Sequence, residues 1–157
     1  HIHYTDRIMA IDFFKKFDQK KIIRKIQPLK DVGMGYVQLG QSSSTLSGGE
    51  AQRIKLATFL VKGTNRNKTL FIFDEPTTGL HFHDIKKLLK SFNSLIEYGH
   101  SIIVVEHNIE LIKCSDYIID LGPLGGENGG QLIFSGSPEN LIKNKKSLLT
   151  DFLKNKL

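Results

Sequence analysis

Two short apolar segments separated by an amphipathic helical pattern most constrain the fold of this chain. Residues 70–73 are a continuous apolar run, and residues 101–105 consist of one serine followed by four apolar residues. Both segments are typical of strands buried on both faces of a parallel sheet. Between them, residues 84–98 place apolar side chains on one helical stripe, and Gly99 is a natural stop for that helix. Strand, helix and strand in this order predict an α/β fold with a mainly parallel sheet and flanking helices.

Upstream of these strands the sequence predicts a helical lead-in. Residues 5–17 have apolar side chains at helical spacing, and residues 20–26 continue as a charged helix that Pro28 is expected to stop. A glycine-rich and polar stretch follows and indicates a subdomain boundary. We therefore divide the chain into residues 1–45, the helical lead-in, and residues 46–157, the main part of the α/β domain.

Downstream of the second strand the elements become shorter. Asn108 is a helix cap by residue type and predicts a short helix after it. Residues 117–121 and 131–135 predict two further strands, joined by a glycine-rich loop. Pro138 marks the position where a final helix is expected to begin.

Charge and composition restrict the partners only loosely. The net charge of +6 permits a nucleic-acid partner but does not establish one. The pattern favours two solvated helix faces, and the alternative is a surface that lies near a phosphodiester backbone. No aromatic ladder accompanies them, so stacking on bases is not expected. The basic residues concentrate near the two ends: Lys15, Lys16, Lys20, Lys21, Arg24, Lys25 and Lys30, and then Lys143, Lys145, Lys146, Lys154 and Lys156.

The sequence predicts a soluble cytoplasmic protein without a membrane partner. No apolar run is long enough to cross a bilayer and no signal peptide is visible. The single cysteine, Cys114, cannot form an internal disulfide or a thiolate zinc cluster. Because the chain begins with His1 rather than Met, we expect it to be a piece of a longer protein or to have a processed terminus.

Ser47, Gly48, Gly49 and Glu50 predict an unusual helix start. Serine at the cap with glutamate three residues later is a capping box. Each glycine in the first turn weakens the helix by about 1 kcal/mol relative to alanine, so another interaction should offset the loss. Missing side chains would let a phosphate approach the free N–H groups, with the hydroxyl of Ser47 as a further donor. The alternative is a tight packing contact that requires glycine.

Two acids follow the first apolar run. The end of a strand in a parallel sheet is where ligands bind in such folds, so Asp74 and Glu75 are candidate site residues. Adjacent strand residues point to opposite sides, which favours different roles for the two acids. Asp74 suits Mg²⁺ and Glu75 suits an attacking water. The alternative is a solvated turn made rigid by Pro76.

His107 follows the second apolar run and is therefore expected near Asp74. A histidine in this position can hydrogen-bond a terminal phosphate. The glycine-rich loop with lysine that cradles β- and γ-phosphates is absent from the sequence. We therefore expect this chain alone neither to hold ATP tightly nor to hydrolyse it well.

These motifs resemble those of the ABC-type ATPases. Residues 46–50 resemble the signature motif, residues 70–75 the Walker B motif and residues 77–80 the D-loop, and His107 resembles the switch histidine. The sequences of these motifs are more specific than those of ABC-type ATPases in general, and they are similar to the UvrA family of bacterial excision repair. That similarity extends from about residue 31 to about residue 140 and is carried by residues 39–57, 74–81, 106–108, 118–123 and the glycine-rich stretch 125–130.

The resemblance implies the C-terminal part of the second nucleotide-binding domain of such a protein. The family finds distorted double-stranded DNA and loads the UvrB helicase, using ATP and Mg²⁺. Partners implied are the rest of a UvrA chain, a second UvrA subunit, UvrB and damaged DNA. A P-loop, a Q-loop and a cysteine zinc module would lie upstream, so zinc is expected only there.

The resemblance also implies composite sites, in which the signature of one domain closes over nucleotide held by another domain. Ser47, Gly48 and Gly49 would then serve one nucleotide, whereas Asp74, Glu75 and His107 would serve another. The alternatives are an ABC subunit of a transporter and a non-catalytic interaction module. The Thr-Gly-Leu-His sequence after Walker B disfavours the transporter subunit.

Overall fold

The computed structural model describes residues 9–62, 67–122, 129–144 and 147–154, without the side chains of Met9 and Lys62. The chain forms two compact units, one ending at Val105 and the other beginning at Glu106. The start of the helix predicted at residues 5–17, most of the glycine-rich loop after β3 and the lysines at 145, 146 and 156 lie outside the described residues.

In its described residues, the first unit has four α-helices and a pair of strands. Its elements are α1 (Met9–Lys16), α2 (Lys20–Asp31), a 3-10 turn (Ser43–Thr45), α3 (Gly48–Lys62), β1 (Leu70–Asp74), α4 (Phe82–Glu97) and β2 (Ser101–Val105). β1 and β2 are parallel, with Leu70 opposite Ser101 and Asp74 opposite Val105. The predicted strand, helix and parallel strand are therefore confirmed.

α4 ends where the sequence predicts. Gly99 has a φ of +85°, a conformation that glycine adopts without steric cost. The N–H of Gly99 donates to the carbonyl of Ile96 (2.8 Å) and that of His100 to the carbonyl of Leu95 (3.1 Å), which satisfies two carbonyls at the helix end. Ile96 was predicted on the apolar stripe but is exposed. The buried apolar stripe of α4 consists of Ile85, Leu88, Phe92 and Leu95.

The sheet of the first unit is packed on one face. The ring of Phe71 lies 4.8 Å from that of Phe59 on α3, and the ring of Phe73 lies 4.8 Å from that of Phe92 on α4. The prediction that both strands are buried on both faces is wrong within the described residues. The opposite face stays between 51% and 67% exposed, and it is formed by Leu70, Ile72, Ile103 and Val105.

α2 continues past the proline that was expected to stop it. Pro28 lies inside α2, and its carbonyl accepts a hydrogen bond from the N–H of Val32 (3.1 Å). Proline removes one donor and crowds the preceding turn, but α2 packs against α3 and leads directly into the buried residues Val32 and Met34. The chain leaves the helix at Gly33, where φ is +79°.

The buried face of α3 differs from the predicted one. The sequence pattern favours Ile54, Ala57, Leu60 and Val61, and in the structure Ala57 is fully buried whereas the other three are only partly buried. The other fully buried residues of the helix body are Arg53 and Leu56. The face is rotated toward Arg53 because that side chain, which hydropathy assigns to solvent, lies in the interior.

The second unit has its own small core. Its elements are α5 (Ile109–Ile112), β3 (Ile118–Gly122), β4 (Gln131–Gly136), α6 (Pro138–Leu141) and α7 (Leu149–Lys154). β3 and β4 pair antiparallel, and the core consists of Ile112, Ile118, Leu141 and Leu153. The helix starting at Pro138 is confirmed but is not the last, because α7 follows it.

The two compact units do not coincide with the predicted parts, residues 1–45 and 46–157. Those parts stand for subdomains of an ATPase rather than for compact units, and they stay a prediction. Among the described residues, no helix has both the length and the hydropathy that a membrane crossing requires.

Adjacent residues of β1 should differ sharply in their contribution to stability. Phe73 is 5% exposed and Ile72 is 67% exposed. We expect Phe73→Ala to lower the free energy of unfolding by about 3–5 kcal/mol through the cavity it leaves. Ile72→Ala should change it by about 1 kcal/mol or less. Urea unfolding of both variants measures the difference, and equal losses would show that the two faces of β1 are covered alike.

Candidate functional site

The predicted capping box at the start of α3 is confirmed. The N–H of Ser47 donates to Oε2 of Glu50 (2.7 Å), and the N–H of Glu50 donates to Oγ of Ser47 (3.3 Å). The hydroxyl of Ser47 accepts in this pair and so keeps its own hydrogen for another acceptor. The carboxylate of Glu50 also lies at the positive end of the helix, where it is stabilised.

A tyrosine from the preceding loop fixes this carboxylate. The hydroxyl of Tyr36 donates to Oε1 of Glu50 and accepts from Nη2 of Arg53 (3.2 Å). The hydrogen bond from Tyr36 is the main cause that lowers the pKa of Glu50. Burial, followed by the hydrogen bond to Glu50, raises the pKa of Tyr36. The phenol therefore remains the donor and the carboxylate the acceptor near neutral pH.

The two glycines at the helix start have different surroundings. A Cβ on Gly48 would meet nothing within 4 Å, whereas one on Gly49 would lie 3.0 Å from the carbonyl oxygen of Glu75 and 3.3 Å from Nη1 of Arg53. The packing alternative thus explains Gly49, because a side chain there would displace main chain. Gly48 is exposed, whereas Gly49 is buried and the N–H of Glu50 already donates to Ser47. Phosphate binding by Ser47, Gly48 and Gly49 stays a prediction.

The two acids stand at the end of β1. Asp74 is the last strand residue, and Glu75 follows with a φ of +47°. The alternation expected of adjacent strand residues does not extend to Glu75, because it lies outside the strand and in a left-handed conformation. Both acids are exposed. A left-handed residue with a side chain costs about 1–2 kcal/mol, and such strain concentrates at functional sites.

Two α3 residues that sequence analysis assigned no role contact this segment. Gln52 donates from Nε2 to the carbonyl of Asp74 (2.9 Å) and accepts from its N–H at Oε1 (3.0 Å). Arg53 donates from Nη1 to the carbonyls of Pro76 (2.6 Å) and Thr78 (3.0 Å). The sequence held one signal for this role of Arg53, which is a charged residue directly before Ile54, the first residue of the predicted apolar face.

His107 belongs to the second unit. Its N–H donates to Oε2 of Glu106 (3.0 Å), which also accepts from the N–H of Asn108 (3.1 Å). Asn108 in turn caps α5, as predicted, by accepting from the N–H of Glu110 (3.0 Å). The side chain of His107 is exposed. Because Asp74 and His107 lie in different units, their predicted proximity stays a prediction.

Asp74 fits a Mg²⁺ site that is shared with a nucleotide. Within the described ranges, no group of three or more His, Cys, Asp or Glu side chains is arranged to hold a metal by itself. Magnesium bound with nucleotide needs only one or two protein carboxylates, since phosphate oxygens and waters complete its shell. An exposed carboxylate at a strand end supplies that kind of ligand.

Most of the predicted basic residues lie on the first two helices. Lys15, Lys16, Lys20, Lys21, Arg24 and Lys25 are exposed, and Lys30 is partly buried. Lys15 and Lys20 each form a weak ion pair, with Asp12 (3.7 Å) and Asp18 (3.7 Å). These positions are compatible with both a solvated face and a DNA backbone nearby.

Known proteins share both the sequence and the fold of this chain. UvrABC system protein A of Mycoplasmopsis pulmonis is 55% identical over 139 residues, and that of Haemophilus influenzae is 57% identical over 133 residues. The crystal structure of UvrA2 from Deinococcus radiodurans matches with a TM-score of 0.80 and 39% identity over 97% of this chain and 18% of that chain. The chain belongs to the UvrA family. No protein-family model matches it.

The UvrA-family chain has the fold of part of an ABC-type ATPase. A bacterial Atm1-family ABC exporter with ATP bound matches with a TM-score of 0.56 and 23% identity over 85% of this chain and 23% of that chain, which is a likeness of fold alone. The matches to the Mycoplasmopsis and Haemophilus proteins cover 88% and 85% of this chain. They cover only 15% and 14% of those proteins, so the chain spans about a seventh of their length.

Glu50 should make stability depend on pH. Because the pKa of Glu50 is lowered in the folded chain, its ionised form stabilises the fold above the ordinary value of about 4.3. This contribution is lost as pH falls through the lowered folded value. We expect Glu50→Gln to reduce the free energy of unfolding at neutral pH, and the difference from wild type to shrink below about pH 4. Urea unfolding across this range tests it, and a difference independent of pH would contradict it.

The two glycines should respond oppositely to alanine. Gly48→Ala meets open space and should stabilise α3 by up to about 1 kcal/mol, since alanine favours the helix. Gly49→Ala meets the carbonyl of Glu75 and should destabilise the chain by about 1–3 kcal/mol. Thermal unfolding of both variants measures the two effects. Equal tolerance at both positions would mean that the start of α3 does not pack closely on the segment after β1.

Proposed function

We propose that this chain acts as the catalytic C-terminal segment of a UvrA-type ATPase in nucleotide excision repair. The observation that carries the proposal is the pair of exposed acids at the end of β1, with Glu75 at a φ of +47°, in a chain of the UvrA family. Backbone strain concentrates at functional sites, and an exposed carboxylate at a strand end can orient or deprotonate a water at a nucleotide. The relatives named UvrABC system protein A support the repair context.

The chain would contribute to two nucleotide sites. Asp74 would hold Mg²⁺ and Glu75 would orient or deprotonate the attacking water, with His107 on the terminal phosphate. The open helix start at Ser47 and Gly48 would receive the phosphates of a second ATP. Gly49 would act there through close packing as much as through the anion. Magnesium, when bound, neutralises phosphate charge, and the residues of this chain supply orientation.

The partners follow from the same proposal. The nucleotide-binding loop would come from the rest of a UvrA chain, and a second UvrA subunit, the UvrB helicase and damaged double-stranded DNA would complete the assembly in the cytoplasm. The apolar face of β1 and β2, more than half exposed in this structure, is a surface that the rest of such a chain would cover. Zinc is expected in that remainder only. Family membership favours this proposal over a transporter subunit.

Glu75→Gln tests the proposal in the full-length protein that carries this segment. Removal of the carboxylate should lower the turnover number by about 100-fold or more while ATP binding persists, because only the proton transfer is lost. Retention of radiolabelled ATP after gel filtration, together with steady-state hydrolysis, measures both effects. Glu97→Gln, an exposed acid at the end of α4, is the matched control and should behave as wild type. Unchanged turnover in Glu75→Gln would rule out the assigned role.

A further inference from the structure

Two neighbouring side chains on α3 hold the main chain on both sides of Glu75. Gln52 pairs with Asp74 through two hydrogen bonds, 2.9 and 3.0 Å, in the manner of an additional strand residue. Arg53 binds the carbonyls of Pro76 and Thr78 at 2.6 and 3.0 Å. We call these two residues the α3 clamp. It contacts the residue before the strained glutamate and two residues after it.

Burying the charged side chain of Arg53 costs desolvation free energy, which its hydrogen bonds to this segment offset. The side chain is 0% exposed, and its Nε additionally contacts the sulfur of Met34 (3.3 Å). An apolar side chain of similar volume would fill the same space without desolvating a charge. A guanidinium, by contrast, presents several donors in a fixed plane and can hold two carbonyls at once. Its contacts therefore fix main-chain geometry rather than only fill the core.

We infer that Gln52 and Arg53 are positioning residues, which hold Asp74 and Glu75 in place through the main chain of residues 74–78. The clamp and the close contact of Gly49 with the carbonyl of Glu75 make the start of α3 and the acid-bearing segment one rigid body. This inference rests on the proposed function. If the helix start serves one nucleotide and the acids another, the clamp is a direct mechanical connection between the two sites.

Kinetics of the full-length protein test the positioning role of Arg53. Arg53→Gln should lower kcat by about tenfold or more, because a small displacement of catalytic groups is costly. The Kd for a non-hydrolysable ATP analogue should stay within about twofold of the wild-type value. Under the proposed function, the nucleotide-binding loop in the rest of the full-length protein supplies the main contacts of the analogue. Arg53→Lys, which keeps one donor group, should recover part of kcat. Lys55→Gln, an exposed residue on the same helix, is the charge-matched control.

Gln52 supplies an independent test that does not require ATP hydrolysis. In the chain itself, Gln52→Met removes the acceptor of the Asp74 N–H but preserves size, so exchange of that amide with deuterium should accelerate about tenfold or more. Amides within α4 should keep their exchange rates. This measurement still decides the inference if Arg53→Gln does not fold, or if the wild-type full-length protein proves to have no ATPase activity. The latter result would end the proposed function alone.

Three outcomes would overturn the inference, and the first two are failures of an expected change. One is a kcat of Arg53→Gln within about twofold of wild type in a folded protein, and the other is unchanged exchange of the Asp74 amide in Gln52→Met. A parallel loss of kcat and of analogue binding in Arg53→Gln, without recovery in Arg53→Lys, would also reject it. Such a loss would show a merely structural role.

Discussion

The close approach of α3 to the segment after β1 is the contact on which the candidate site depends. The main-chain carbonyl oxygen of Glu75 lies 3.0 Å from the position that a Cβ on residue 49 would take, so a side chain there would push the two segments apart. At this distance Gln52 and Arg53 reach the main chain of residues 74–78. The left-handed conformation of Glu75 is thereby held against its steric cost. Loosening this one contact would release the geometry of both acids.

The sheet of the first unit explains why the chain combines an ordered site with an uncovered apolar surface. Phe71 and Phe73 pack on α3 and α4, whereas Ile72 and Ile103 remain exposed. The strand sequences are apolar on both faces, as in a sheet covered on both sides. Relatives of this chain are several times longer, and under our proposal the remainder of such a protein packs on the open face. The proposed nucleotide sites are composite for the same reason, because the remainder of the longer protein would supply their missing parts.

Much of the local structure could be predicted from the sequence because its causes are local. The cap pair Ser47 and Glu50, the helix stop at Gly99 and the cap at Asn108 each depend on residues within one helical turn. The parallel pairing of β1 and β2 followed from two apolar runs joined by an amphipathic helix. The family was identified from the residue sequences of the motifs, and the comparisons with known proteins confirmed it.

By itself, the sequence determined the order of strand, helix and parallel strand in the first unit, the helix caps and the residues available for chemistry, but not α7. Only the tertiary structure decided which face of α3 is buried, that α2 continues through Pro28 and that Glu75 takes a φ of +47°. Each of these depends on groups more than ten residues away, and hydropathy assigns a guanidinium such as that of Arg53 to solvent. The interior instead provided main-chain carbonyls as its partners, and such partners exist only once the chain has folded.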